Sequence, residues 1–279
     1  MASYSYTNGR YLPNHKAKIS INDRSVHFAD AVYEVITVYK FKMLFWSDHI
    51  IRLKKSLKYM DINFKSDFKI LKIKCEELIK INNLGEGIIY VHVSRGVAKR
   101  NHNWNENLKP SLIISCMHKK TFNVSAKKIS LISDNDIRWH KCYIKTVSLL
   151  ANVLLKQKAM KNKAFECLMV DNLGYVTEAT TSNIWILKNN ILFTTPLSSN
   201  ILAGVTRKKV LELAKGLNIK VIEKKFKIND VYKADSVFIT NSSSLILEAN
   251  KLNNKKLSSA PNALIKCLKS SMLELINNE

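Results

Sequence analysis

Asp136-Ile137-Arg138-Trp139-His140-Lys141-Cys142-Tyr143-Ile144-Lys145-Thr146 joins a strand expected over 129–133 to a helix expected from about 149 to 161. Lys145 stands near its end in a partly apolar setting. Burial disfavours an ammonium, and the neutral amine is the form that condenses with a carbonyl to make a Schiff base. The chain carries 45 Lys and Arg, however, and most such side chains are solvated surface charges, so spacing alone does not single Lys145 out.

Working outward, residues 32–39 and 43–46 read as β-rich runs. Ser47 is a candidate cap for a helix in which Ile50, Leu53, Leu57 and Met60 recur at helical spacing, with Arg52 on a different side. A second amphipathic helix is expected over 68–82. The turn Gly85-Glu86-Gly87 then leads into strands over 88–94 and 112–117. The polar stretch that follows suits an interdomain connection, which sets a first domain at 1–118, a linker at 119–126 and a second domain at 127–279. In the second domain a strand over 166–170 closes at Asn172-Leu173-Gly174. Strands over 183–187 and 191–194 flank Asn189-Asn190, a pair that tolerates the positive φ of a tight hairpin. A helix opening near Thr206, strands near Val221 and Val237, and a helix from about Asn262 complete the chain. Strands and helices mix without regular βαβ alternation, so the class is α+β.

With 279 residues, 46% hydrophobic and 24% charged, the composition is that of a folded protein with a sizeable core. Neither a signal-like start nor an apolar run of bilayer length is visible, and a cytoplasmic location is the expectation. Five scattered cysteines, never in a CxxC pair, suggest neither a disulfide framework nor a zinc site, and no metal is expected. The net charge of +23 resembles a nucleic-acid signature. Yet the lysines are spread through every segment alongside abundant Asn and Ile, the mixture an AT-rich coding bias produces, and no RNA-recognition or zinc-finger pattern occurs. No nucleic-acid partner is expected, although a positive field helps collect anionic ligands.

Only seven glycines occur, so each is a candidate for a backbone role. Gly204 lies in Asn200-Ile201-Leu202-Ala203-Gly204-Val205-Thr206-Arg207-Lys208, where a loop turns into a helix. Free N–H groups there, with the Thr206 hydroxyl, make either an anion site or a simple N-terminal cap. Glu178, a lone carboxylate in Thr177-Glu178-Ala179-Thr180-Thr181-Ser182-Asn183, either caps a turn or faces a ring nitrogen or cation. Arg95 and Arg100-Asn101-His102 are either exposed loop charges or grips for a carboxylate.

Taken in order, Val32-Tyr33-Glu34-Val35, His49-Ile50-Ile51-Arg52-Leu53, Ser94-Arg95-Gly96, Asp136-Ile137-Arg138-Trp139 with Lys145, Thr177-Glu178 with Ser182-Asn183, and Gly204-Val205-Thr206-Arg207 resemble the signature segments of the fold-type IV pyridoxal-phosphate enzymes. That resemblance implies a smaller N-terminal α/β domain and a larger C-terminal β-barrel-like domain with flanking helices. It implies that Lys145 holds pyridoxal 5'-phosphate and shuttles a proton, and that Glu178 faces the pyridine nitrogen. Arg52, the N–H groups of Val205 and Thr206, the Thr206 hydroxyl and Ser242 would hold the phosphate, with Leu202 on the ring face. Arg100-Asn101-His102 resembles the Arg-x-His element of D-amino acid aminotransferases, which with Tyr33 traps the substrate carboxylate. In that family the Arg and His come from the neighbouring subunit, so a homodimer is implied, as is the reaction of D-alanine with 2-oxoglutarate to give pyruvate and D-glutamate. Aminodeoxychorismate lyases and branched-chain L-amino acid aminotransferases share the group and remain alternatives; a basic nucleic-acid-binding protein retaining the scaffold is the alternative outside it. The chain departs from the group where Ala29 and Ala31 replace expected glycines and where Lys40-Phe41 replaces an Asn-Gly turn.

Overall fold

The structure, a computed structural model, describes residues 3–122, 128–258 and 260–279; positions 123–126 of the expected linker lie outside the described residues. The chain divides into two compact units, one of Met1–Thr121 with Ile144–Ser148 and one of Phe122–Tyr143 with Leu149–Glu279. The expected second domain ran unbroken over 127–279. Residues 144–148 join the first unit instead, because their backbone pairs with it. Thr146 bridges Val32, the Tyr33 N–H donates to the Lys145 carbonyl at 3.0 Å, and the Val147 N–H donates to the Ala31 carbonyl at 3.2 Å.

The first unit contains β1 (Tyr4–Thr7), β2 (Arg10–Pro13), α1 (Arg24–Phe28), β3 (Ala31–Tyr39), β4 (Lys42–Met43), α2 (Trp46–Tyr59), α3 (Phe68–Ile81), β5 (Glu86–Ser94) and β6 (Ser111–His118). Its strands form an antiparallel sheet of order β2-β1-β6-β5-β3-β4. The β-branched run of β3 pairs with β5 along its whole length, from Ala31 opposite Ser94 to Tyr39 opposite Glu86. Helix α2 packs on β3 and α3 on β1 and β6, burying Ile36, Leu53, Leu71, Leu78, Ile89 and Ile114. Lys40 and Phe41 take φ of 49° and 64°, the left-handed pair that a two-residue hairpin requires, without the usual Asn or Gly. Gly85 makes room for this turn, since a Cβ there would stand 3.2 Å from the Phe41 ring. The β-run expected over 43–46 is cut short. Phe45, buried at φ 54°, turns the chain into α2 as its N-cap with no side-chain cap bond, so Ser47 lies inside the helix and not at its cap.

The second unit contains β7 (Ile129–Asn135), α4 (Leu150–Lys161), β8 (Glu166–Val170), β9 (Val176–Ala179), β10 (Asn183–Lys188), β11 (Ile191–Thr194), α5 (Val205–Gly216), β12 (Val221–Glu223), α6 (Ile228–Tyr232), β13 (Ser236–Asn241), β14 (Leu245–Leu252), β15 (Lys255–Lys256) and α7 (Ala263–Asn277). The strands run in the order β12-β11-β10-β13-β14-β7-β8-β9, with β15 paired to β14. The sheet is mixed: β12 with β11, β14 with β7, and β7 with β8 are parallel. It also curls until its ends meet, because the chain just after β12 returns to β9. Tyr175 bridges Lys227, and the Val176 N–H donates to the Phe226 carbonyl at 2.9 Å. The Trp185 and Phe238 rings stack at 5.6 Å and Trp185 donates to the Thr240 hydroxyl, while Leu131, Leu168, Ile184, Ile239 and Leu252 fill the core. Helix α4 lies on β7 and β8, and α5 on β13 and α7. The α+β class with a barrel-like sheet and flanking helices is therefore the fold observed.

Candidate active site

In the first unit the Lys145 backbone is held at both ends. Its N–H donates to Ser56 Oγ at 3.1 Å, one helical turn beyond Arg52 on α2, and its carbonyl takes the Tyr33 N–H. Lys145 is half-buried, and its Nζ lies over the Tyr33 ring, 4.4 Å from its centroid. The ring in turn packs on Tyr90 at 5.5 Å. The Tyr90 hydroxyl meets His92 Nδ1 at 3.0 Å, and burial, with a smaller push from Tyr33, raises its pKa to about 12.

Arg52 projects from α2 onto Glu34 of β3, with Nε to Oε1 at 2.8 Å and Nη2 to Oε2 at 2.7 Å; His49 Nδ1 stands 2.7 Å from Oε2. Burial works to raise the Glu34 pKa. The charge and hydrogen bonds of Arg52, then those of His49, outweigh it and hold Glu34 at about 2. His49 is pushed below its ordinary value by burial, with Arg52 and Lys145 adding to the effect against the pull of Glu34. A neutral imidazole facing an acceptor-only carboxylate carries its proton on Nδ1, which therefore donates to Glu34. Glu34 fixes the aim of Arg52, a role that the motif reading had not assigned to it.

Arg95 is buried and grips a carboxylate, but that of Asp30, at 2.8 and 3.0 Å. Arg100 and His102 are exposed. Their described ring contacts are with Phe28, 5.3 Å from the Arg100 Cζ and 5.3 Å from the His102 ring. Among the described residues no contact brings either to Tyr33 or Lys145 of the same chain.

In the second unit Glu178 sits on β9, buried and surrounded by donors. Arg138 Nη1 donates to Oε1 at 2.5 Å, Asn183 Nδ2 to Oε2 at 3.0 Å, and the Leu202 N–H to Oε2 at 3.2 Å. Arg138 is itself clamped by Asp136, with Nε to Oδ1 at 2.9 Å and Nη2 to Oδ2 at 2.7 Å, and Thr177 donates to Asp136 Oδ2 at 2.8 Å. Burial raises the Glu178 pKa to about 7 against the opposing charge and hydrogen bond of Arg138. Close to neutrality, an added cationic partner would complete its ionisation. Arg138, Asp136 and Asn183 all lay inside quoted motifs, yet their roles around Glu178 were not read. A further glutamate went unmarked: Glu166 is wholly buried and ties down the loop after Glu178, taking the Thr180 hydroxyl on Oε1 and the Thr181 hydroxyl on Oε2 at 2.8 Å.

Helix α5 begins at Val205 after Gly204, with no side-chain cap. A Cβ on Gly204 would run into Asn183 Oδ1, so a larger residue there must displace the Asn183 side chain. Thr206 is 2% exposed and its hydroxyl has no partner, an arrangement that is costly unless a ligand supplies one. An uncapped helix start with an orphaned hydroxyl suits a phosphate monoester. Leu202 is half-buried just before it, and Ser242 lies in the turn between β13 and β14. Each unit by itself offers groups that suit pyridoxal phosphate: the first a backbone-anchored amine at Lys145, the second a buried carboxylate at Glu178 and an uncapped helix start with the orphaned Thr206 hydroxyl.

Groups of these kinds suit a phosphate-bearing aldehyde cofactor. The family described as Amino-transferase class IV matches residues 31–252. The chain belongs to that family, and as a member it is a pyridoxal-phosphate-dependent aminotransferase. It is 34% identical over 274 residues to the D-alanine aminotransferase of Bacillus licheniformis, across 98% of this chain and 96% of that protein. Its fold superposes with a TM-score of 0.91 on the branched-chain amino acid aminotransferase of Escherichia coli, at 22% identity over 99% of this chain and 95% of that one. A Legionella pneumophila protein provisionally assigned as a 4-amino-4-deoxychorismate lyase gives a TM-score of 0.86 at 25% identity, over 94% and 97% of the two chains. Among the described residues no helix is long and apolar enough to cross a membrane.

Proposed function

We propose that the enzyme is a D-amino acid aminotransferase, interconverting D-alanine plus 2-oxoglutarate with pyruvate plus D-glutamate, and that it works as a cytoplasmic homodimer. The observation that carries this reading is the identity of 34% to a D-alanine aminotransferase over nearly both full lengths. The likeness to branched-chain enzymes at 22% identity concerns the fold alone.

Pyridoxal phosphate, when bound, supplies an electron sink for deprotonating the substrate α-carbon. In this reading Lys145 Nζ would hold the cofactor and would move a proton at that carbon, with the Tyr33 ring keeping the amine in place. Glu178 holds a proton at the ring nitrogen, oriented by Arg138, Asn183 and the Leu202 N–H. Arg52, aimed by Glu34, would hold the phosphate, a role also expected of the N–H groups of Val205 and Thr206, the Thr206 hydroxyl and Ser242, and Leu202 would pack on the ring. Tyr33, with Arg100 and His102 from the neighbouring subunit, takes the substrate carboxylate. The side on which the carboxylate is held decides which hydrogen faces Lys145, and so which enantiomer reacts.

Purified protein is expected to be yellow, with borohydride discharging the colour and fixing the cofactor covalently to the chain, a fixation that Lys145→Ala should abolish together with transamination. Incubation with 2-oxoglutarate should yield pyruvate from D-alanine and not from L-alanine. Preference for L-leucine would overturn the D-amino acid assignment in favour of the branched-chain class, and pyruvate released from aminodeoxychorismate without an acceptor would move it to the lyases.

A further inference from the structure

We infer that Arg24 is a positioning residue for the substrate carboxylate, acting by holding the backbone of Asn101-His102-Asn103, the segment that carries His102 and directly follows Arg100. The inference rests on the proposed role of Arg100 and His102. Arg24 is only 3% exposed, and its guanidinium collects the carbonyls of three consecutive loop residues. Nη1 donates to Asn101 O at 2.6 Å and Asn103 O at 3.3 Å, and Nη2 donates to His102 O at 3.2 Å. Its remaining edge is closed by Asp30, to which Nε donates at 2.8 Å. Asp30 is in turn gripped by Arg95, whose Nη1 and Nη2 reach the carbonyls of Asp61 and Met60 at 2.6 Å each.

The base of the clamp is equally fixed. The Arg24 N–H donates to the Gly96 carbonyl at 2.9 Å, and the preceding Asp23 caps α1 while accepting from Ser94 at 2.9 Å. Phe28, one turn on, receives Arg24 on its ring at 4.7 Å and Arg100 at 5.3 Å, and packs beside the His102 ring at 5.3 Å. Trp104 closes the far end of the loop, with Arg95 stacked 4.0 Å from its ring centroid.

Arg100 and His102 are exposed, so their side chains are placed mainly by their backbone. That backbone converges on one planar fork, a geometry that arginine's several fixed N–H groups satisfy and a lysine's single nitrogen does not. Loosening it would leave the charge of Arg100 in place while spreading it over many positions. Such a loss is felt in carboxylate binding before it is felt in the chemical step.

The test compares Arg24→Gln, Arg24→Lys, Arg100→Ala and the double variant Arg24→Gln/Arg100→Ala. Each is assayed with the amino acid that the parent enzyme transaminates best, and the affinity for pyridoxal phosphate is measured by titrating the apo-protein. Arg24→Gln is expected to raise KM about tenfold, with kcat within about twofold and cofactor affinity unchanged. Arg24→Lys should recover only part of the loss. The double variant should raise KM beyond Arg100→Ala by clearly less than the factor that Arg24→Gln gives alone, the remainder reflecting His102, and hydrogen exchange of the 101–103 amides should speed up in Arg24→Gln. If Arg100→Ala raises KM while Arg24→Gln does not, or if the two effects add independently, the positioning role is overturned. It is equally overturned if kcat, cofactor affinity and Tm all fall together in both Arg24 variants, which would mark a general structural role. Should Arg100→Ala itself leave KM unchanged, the carboxylate reading fails first, and that failure is seen without any Arg24 variant.

Discussion

Arg52 meets Glu34 edge to edge, Nε to Oε1 at 2.8 Å and Nη2 to Oε2 at 2.7 Å, with the Glu34 side chain wholly buried. An arginine so constrained cannot follow its ligand, and the ligand must come to it. Replacing Glu34 by Gln strands a buried cation, and by analogy with other broken buried pairs it should cost about 3–5 kcal/mol of stability. The Glu34 pKa is held at about 2, below its ordinary 4.5. Its contribution is therefore present above pH 4.5 and lost as pH falls toward 2. Urea titrations between pH 6 and pH 3 should show a shallower acid loss in Glu34→Gln than in the parent; parallel curves would contradict this.

Glu178 titrates in the opposite sense. Its pKa is raised by burial to about 7, so the apo-protein is favoured by this group below pH 4.5 and loses that contribution as pH rises through 7. A shift of this size corresponds to up to about 3 kcal/mol. Urea midpoints of the apo-protein measured from pH 5 to pH 8 should carry this slope, and Glu178→Gln should flatten it. The same variant should lower kcat by about a hundredfold, since a neutral amide no longer favours a protonated ring nitrogen.

Thr206→Val separates ligand binding from folding. The hydroxyl is buried and without a partner, so an isosteric apolar replacement should leave apo stability within about 1 kcal/mol or raise it. Affinity for pyridoxal phosphate should fall about tenfold, for one lost hydrogen bond to a charged group. Equal losses in both measurements would show that the hydroxyl serves the fold.

Gly204→Ala attacks the link between the helix start and Glu178. The added methyl must displace Asn183, which donates both to Glu178 Oε2 and to the Leu202 carbonyl at 3.0 Å. Overpacking of this kind costs about 1–3 kcal/mol. Thermal unfolding should fall accordingly, and cofactor affinity should drop with it.

Local features were legible in the sequence because their causes are local. Asn189 and Asn190 do take φ of 49° and 59° in the β10–β11 hairpin, and Gly174 takes 82° in its turn. Asn262 caps α7 through its own side chain, accepting from Leu264 and Ile265. The start of α2 was misplaced because Phe45 enters a left-handed conformation for the sake of core burial, which no local propensity favours. The role of Arg24 was invisible for a different reason: its partners are three backbone carbonyls, and carbonyls look alike whatever side chains they carry.

The amino-acid order by itself determined which reactive groups exist and in what succession: one amine at Lys145, carboxylates at Glu34 and Glu178, a hydroxyl at Thr206 beside a glycine. Only the tertiary structure decided what each can do. Two glutamates of identical chemistry end with pKa values of about 2 and about 7. Both lose their hydration on burial, but Glu34 receives a two-point arginine and a histidine, whereas the arginine reaching Glu178 is shared with Asp136. Charge interactions depend on distance and on the surrounding medium, and neither is set until the chain has folded.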